Sequence, residues 1–245
     1  MKMIRVWLML FLSYSMLTAC NSSSLAPFNA ARDRKARTEG SYTVRKGDSL
    51  YTIAWRSGHD YQYLAKINNI PTPYTIYPGQ KIIFSNKKFS IKNNKQLAKN
   101  TNAALPYSQN PKAVIPAAVI KTTIPFIWPV KGKILRGFAE EGHSKGIDIE
   151  GKLGMPIRAA AKGSVVYSGN ALKGYGNLII LKHGDNFLSA YAHNQLMKVK
   201  EGQTVVAGQE IATMGKSSNK EVKLHFEIRY QGKPVDPMKF LIHGK

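Results

Sequence analysis

Cysteine is almost absent: Cys20 is the single thiol in 245 residues. The rest of the chain therefore has no internal disulfide, no cysteine nucleophile and no thiolate-held metal. Acidic residues are also scarce, 14 Asp and Glu against 36 Lys and Arg, which leaves a net charge of +22. Such an imbalance draws a protein toward anionic surfaces. The basic residues are spread along the whole chain rather than gathered on one recognition helix, which argues against nucleic acid as the partner. Long apolar runs are missing as well. The run from Val6 to Leu17 spans about 12 residues, against the roughly 20 needed to cross a bilayer.

What is present divides the chain into five parts. Residues 1–20 carry Lys2 and Arg5 ahead of the short apolar run, then Leu17-Thr18-Ala19-Cys20. This layout resembles the export signal and lipobox of bacterial lipoproteins. The resemblance implies that Cys20 becomes an acylated first residue anchored by several chains. Asn21 rather than Asp follows it, which implies the outer membrane. Residues 21–40 are small, polar and basic with no sustained apolar period, as in a flexible tether.

Residues 41–84 read as a compact module. Tyr42-Thr43-Val44 is a short β-rich run, Leu50, Ile53 and Ala54 follow at helical spacing, and Asp60 is an N-cap for a second helix through Tyr63, Leu64 and Ile67. Pro78-Gly79-Gln80 then turns into Lys81-Ile82-Ile83-Phe84. The predicted order is strand, helix, helix, strand. The runs Y-T-V-R-K-G-D-S-L-Y-T-I-A, I-N-N-I and Y-P-G-Q-K-I resemble a LysM module, a carbohydrate-binding repeat for N-acetylglucosamine-containing glycans. The resemblance places the glycan between two loops, Gly47, Asp48, Ser49 and Leu50 on one side and Ile70, Pro71, Thr72 and Pro73 on the other. Asp48 and Ser49 have a helix-capping role available at the same time.

Residues 85–124 form a basic linker, within which Ala113 to Ile120 is unusually apolar. From residue 125 to 245 the runs are short, β-branched and separated by glycine: Ser164–Tyr167, Asn177–Lys182, Phe187–Ala192, Thr204–Val206, Ile211–Met214 and Leu224–Tyr230. This spacing predicts an all-β domain, with Leu178 to Leu181, apolar on both faces, as a central strand. The whole chain is thus expected to be mainly β, a small βααβ module followed by an all-β domain.

Three motifs in the last domain carry the chemistry: Ser144-Lys-Gly-Ile-Asp148, Tyr191-Ala-His193-Asn194 and Lys223-Leu-His225-Phe-Glu-Ile-Arg229. They resemble the lysostaphin/LytM family of zinc endopeptidases, which cut peptidoglycan cross-bridges and read H-x-x-x-D, a middle His, and H-x-H at these places. Two positions depart from that pattern. Ser144 stands at the first zinc ligand and Lys223 at the first His of H-x-H. A catalytic zinc is held by three protein ligands with a fourth position open for water, and here only Asp148 and His225 remain. An ammonium has three donors and no lone pair, so Lys223 neither binds zinc nor accepts a proton unless burial depresses its pKa strongly. No cofactor, no metal ligand set and no catalytic residue is expected. The period-2 alternation around Leu224, Phe226 and Ile228 places Lys223 and His225 on one face, and the same parity pairs Tyr191 with His193.

The lipobox, the LysM-like module, the basic linker, the Gly169–Asn177 loop and the serine in S-K-G-I-D are together similar to NlpD-type outer-membrane lipoproteins. That resemblance implies a non-catalytic activator of periplasmic N-acetylmuramyl-L-alanine amidases, bound to peptidoglycan and acting in septal splitting and cell separation. The partner would dock on a vestigial groove lined by Ser144, Asp148, Tyr191, His193, Lys223 and His225. Two alternatives stand beside it. One is an active zinc endopeptidase in which His143 supplies the missing ligand; the other is a passive tether between outer membrane and wall.

Overall fold

The computed structural model describes residues 40–85, 124–139 and 144–242. In the first stretch, β1 (Ser41–Thr43) and β2 (Lys81–Ile83) pair antiparallel around α1 (Leu50–Ser57) and α2 (Tyr61–Ile67), with Tyr42 opposite Ile82. The sequence explains each boundary. Ser49 and Thr52 form a capping box at the start of α1: Thr52 N–H donates to Ser49 Oγ at 3.2 Å and Ser49 N–H to Thr52 Oγ1 at 2.9 Å. Gly58, at φ 70°, ends the helix in the left-handed conformation that glycine adopts without a Cβ penalty. Asp60 caps α2 by accepting from Tyr63 N–H at 2.9 Å. The Asn68 amide ties the end of α2 to β2, donating to Ile83 O at 2.9 Å and accepting from Ile83 N–H at 2.8 Å. Leu50, Ile53, Leu64, Ile82 and Phe84 fill the centre.

The other two stretches together build ten strands: β3 (Ile134–Arg136), β4 (Ile147–Glu150), β5 (Pro156–Arg158), β6 (Gly163–Gly169), β7 (Asn177–His183), β8 (Phe187–Met197), β9 (Thr204–Val205), β10 (Glu210–Met214), β11 (Lys223–Tyr230) and β12 (Lys233–Val235). The main path runs β3-β4-β11-β8-β7-β6-β9, with β12 on β11, and β10 joining β8 to β5. The six predicted runs correspond to β6 to β11, and β7 lies inside the sheet between β8 and β6. Four short strands carried too few residues to show a period: β3, β4, β5 and β12.

The sheet has two unlike faces. Leu224, Phe226 and Ile228 of β11 point with Ile147, Ile149, Ile179, Leu181 and Tyr191 into one apolar core. Leu178, Ile180, Leu188, Ala190 and Ala192 point the other way and join the buried residues of the small module, among them Trp55, Tyr61 and Ile70. All three stretches fall within one compact unit, Arg34–Lys245. The alternation of β11 leaves Lys223, His225, Glu227 and Arg229 on the face that the small module partly covers.

Candidate functional site

At the uncovered end of that face lies an open cleft of about 380 Å³ lined by Ser144, Asp148, Tyr175, His193, Lys223, His225 and Glu227, with Arg136, Lys145 and Ser217 to Asn219 on its rim. Strand β4 supplies Asp148 and pairs with β11 so that Asp148 lies directly opposite His225. This register brings together two residues 77 positions apart.

The floor of the cleft is a chain of alternating charges. Asp148 is 3% exposed. Its Oδ1 is 2.7 Å from His225 Nδ1, and its Oδ2 is 3.0 Å from Lys223 Nζ and 3.3 Å from Arg136 Nε. Lys223 also donates to Glu221 Oε2 at 2.7 Å. On the far side of the imidazole, His225 Nε2 is 3.2 Å from Glu227 Oε1, and the same oxygen accepts from Tyr175 O–H at 2.7 Å. Glu227 Oε2 accepts from Arg229 Nε and Nη2 at 3.0 and 2.9 Å.

These contacts set the protonation states. Burial alone would raise the Asp148 pKa, but hydrogen bonds from His225 and Lys223 outweigh it and bring the carboxyl down to about 2. Glu227 behaves alike: burial raises it, and the Arg229 charge with the His225 bond carries it down to about 2. His225 is pushed down by burial and up by both carboxylates, which win and raise it to about 9. An imidazole with a carboxylate at each nitrogen is an imidazolium at neutral pH, since both nitrogens then donate. Lys223 is raised as well: burial disfavours its charge, but the bonds to Glu221 and Asp148 more than compensate. The depressed pKa that a proton-accepting lysine requires is absent. His193 is the exception; burial, then the His225 and Lys223 charges, lower it to about 4, so it is neutral.

The strand parity that grouped Tyr191 with His193 does not hold. Between β7 and β8 the pairs are Asn177 with Asn194 and Ile179 with Tyr191, and between β10 and β8 they are Met214 with Asn194 and Ala212 with Met197. At each place β8 spends one residue more than its partner, the mark of a β-bulge. His193 sits there at φ 65°, held by its N–H to Tyr175 O at 2.9 Å and its carbonyl to Gly215 N–H at 2.8 Å. The extra residue reverses the alternation and turns His193 into the cleft, with its ring 6.3 Å from that of His225. Tyr191 is 0% exposed in the core of the opposite face, and its hydroxyl accepts from Ala160 N–H at 2.8 Å. It therefore does not line the groove.

Ser144 reaches the cleft but its hydroxyl donates to Gly146 O at 2.8 Å. His143, the alternative ligand, lies outside the described residues, as do Cys20 and nearly all of the tether and the linker. Among the described residues no group of three or more His, Cys, Asp or Glu side chains is placed to hold a metal ion. Tyr175 and Glu227, which line the cleft, and Arg229, buried behind them, were not singled out in the sequence. Glu227 and Arg229 carried a signal, because they share parity with His225. Tyr175 was flagged only by the glycines on either side of it, both at positive φ (92° and 61°).

In the small module the two predicted glycan loops are present with unequal exposure. Gly47, Pro71, Thr72 and Pro73 are exposed. Asp48 is engaged by Tyr42 O–H at 2.7 Å, by Arg45 N–H at 2.9 Å and by the Arg56 guanidinium, and Ser49 caps α1. Leu50 and Ile70 are 0% and 7% exposed. Their side chains belong to the module's core, because a helix start and a helix end must bury their apolar positions here, and so they are withdrawn as contact side chains.

Comparison with known proteins agrees with this division. The model of the LysM domain matches residues 42–85 and that of peptidase family M23 matches residues 142–237. The lipoprotein NlpD/LppB homolog of Pseudomonas aeruginosa is 42% identical over 267 aligned residues, which cover 93% of this chain and 88% of that one. The uncharacterized lipoprotein YgeR of Escherichia coli is 44% identical, covering 82% and 80%. The murein hydrolase activator NlpD of Escherichia coli is 40% identical, covering 82% of this chain and 67% of that protein. With a LysM module, an M23-type domain and this identity along nearly its whole length, the chain belongs to the NlpD/LppB family of lipoproteins.

Proposed function

We propose that this protein is a non-catalytic activator of periplasmic N-acetylmuramyl-L-alanine amidases, held at the outer membrane through acylated Cys20 and bound to peptidoglycan through its LysM module. It acts where daughter-cell peptidoglycan is split at the septum. The activator name of the relatives at 40% identity supports the reading.

The observation that carries the non-catalytic part is the ion-pair chain in the cleft. The Lys223 ammonium, 3.0 Å from Asp148 Oδ2, already supplies a cation to the carboxylate that a zinc would need. Both nitrogens of His225 face carboxylates, so neither offers a lone pair while the ring is charged. Zinc requires deprotonated ligands, and Ser144 gives only a neutral hydroxyl already bonded to Gly146 O. These residues do not fit the ion, and no step of a metal-assisted hydrolysis is assigned to them.

What the cleft can do is bind. It offers a charged floor, with Lys223 buried between Asp148 and Glu221 and with Arg136 and Lys145 exposed at its edge, suited to a partner segment that presents carboxylates or backbone carbonyls. Binding the open state of an amidase more tightly than its closed state is sufficient to activate it. Basic surface and LysM module then hold the pair near anionic wall, where effective concentration offsets a weak single module.

The experiment is release of dye-labelled peptidoglycan by the chain from residue 21 onward, with and without a periplasmic amidase. Release is expected only when the amidase is present. Release by the protein alone, abolished by a chelator and by His143→Ala, would restore the zinc endopeptidase. No release under either condition, with peptidoglycan still bound, would leave the passive tether.

A further inference from the structure

The small module reaches the side chains behind the cleft through Trp55. The indole of Trp55, on α1, lies beneath the Arg229 guanidinium, whose Cζ is 3.5 Å from the ring centroid. The Trp55 carbonyl accepts from Arg229 Nη1 at 2.7 Å. The other edge of the same guanidinium holds Glu227 Oε2. Glu227 Oε1 receives the Tyr175 hydroxyl and faces His225 Nε2. Tyr175 closes the circuit, standing edge-on to Trp55 with ring centroids 6.5 Å apart. One member of this ring of contacts belongs to the LysM module and two line the groove. Arg229 is 1% exposed, so water does not take over when a partner leaves.

The junction around this circuit is built for permanence. A Cβ on Gly232 would lie 2.3 Å from His59 O, so the β11–β12 turn touches the backbone of the module directly. Tyr61 O–H donates to Asp185 O at 3.3 Å. Ala190, Ala192, Leu178 and Ile180 share one buried cluster with Trp55 and Tyr61. Parting the two would expose that cluster and strip a buried cation of its carbonyl, and both are costly.

We propose that Trp55 is a positioning residue for the groove: by holding Arg229 it fixes Glu227 and Tyr175, and with them the side of His225 that a partner meets, so the LysM module braces the partner site from behind as well as reading glycan. The proposal rests on the activator reading for the identity of the partner, not for the geometry. A consequence follows for function. An enzyme docked in the groove stands at a fixed orientation to the glycan that the module holds.

The test uses the chain from residue 21 with Trp55→Ala, Trp55→Phe and Arg229→Lys, each measured three ways: co-sedimentation with purified peptidoglycan, amidase-dependent dye release, and hydrogen exchange of Gly174–Asn177 and Lys223–Arg229. Trp55→Phe keeps a ring face for the guanidinium and is expected to match the parent. Trp55→Ala keeps the main-chain carbonyl that Arg229 donates to but removes the ring beneath the guanidinium; it is expected to bind peptidoglycan, to exchange about tenfold faster in both segments and to stimulate about tenfold less, the scale of one buried cation–π contact. Unchanged exchange in both segments, in a variant that still sediments, overturns the proposal. If Trp55→Ala loses peptidoglycan binding through unfolding of the module, Arg229→Lys decides. It leaves the module's own core intact, and a single ammonium does not reproduce the fork; loosening of both segments supports the proposal and unchanged exchange overturns it. A parent chain that stimulates no amidase defeats the activator reading alone, and hydrogen exchange still decides the positioning role.

Discussion

Stability across the alkaline range should depend on one imidazole. His225 lies between Asp148 and Glu227 and its pKa rises from 6.5 to about 9. A base whose folded pKa is raised contributes stability that is fully present below its unfolded pKa and is lost as pH climbs through the folded value. The gap between 6.5 and about 9 corresponds, at about 1.36 kcal/mol per pKa unit, to about 3 kcal/mol. That contribution should be whole below pH 6.5 and gone above pH 9. Lys233 works in the opposite sense. Burial, with the Arg229 charge, lowers its pKa from 10.5 to about 8, so folding gains stability as pH rises from 8 toward 10.5. The two slopes cancel only where they overlap, between about pH 8 and 9, so the parent should lose about 2 kcal/mol between pH 6.5 and 8 and regain it above pH 9. The informative quantity is the difference in unfolding free energy between parent and His225→Gln, from urea melts at pH 6, 7.5, 9 and 10. It should shrink by about 3 kcal/mol between pH 6 and pH 10. A difference independent of pH would refute the imidazolium, and with it the reason proposed above for a cleft without zinc. Direct NMR titration of the imidazoles should give His225 near 9 and His193 near 4.

The remaining expectations concern the metal, the caps and the junction. Purified parent protein should carry no stoichiometric zinc by elemental analysis, whereas Ser144→His with Lys223→His should take it up; stoichiometric zinc in the parent contradicts the donor chemistry. Ser49→Ala removes half of the capping box on α1 and should cost about 1 kcal/mol in a urea melt, with peptidoglycan binding retained if Ser49 acts only as a cap. Gly232→Val places a branched side chain at φ 75° against His59 O. It should lower the melting temperature and speed exchange in Trp55–Asp60, and a melt identical to the parent would show that the two modules do not touch there.

The sequence was legible wherever a rule of short range applied. Ser49 and Asp60 mark their helix starts because caps are local, and β7 shows itself as a central strand because Leu178–Leu181 has no polar face. The pairing of Lys223 with His225 on one face follows from the period of a regular strand. Ser144 and Lys223, at places where the resembled peptidase pattern has histidine, are read from the letters and the resemblance alone. Other features were decided only by tertiary structure. His193 enters the cleft and Tyr191 leaves it because β8 carries a bulge, and a bulge is defined against neighbouring strands that the sequence does not identify. Lys223 keeps its proton because Asp148, 75 residues earlier by number, is brought within 3.0 Å by the β4–β11 register. Trp55 touches the far end of the same charge network because the LysM module covers one face of the sheet. Local chemistry selects the elements; the charges acquire their roles only from the long-range contacts that bury them, since burial and pairing are what shift a proton.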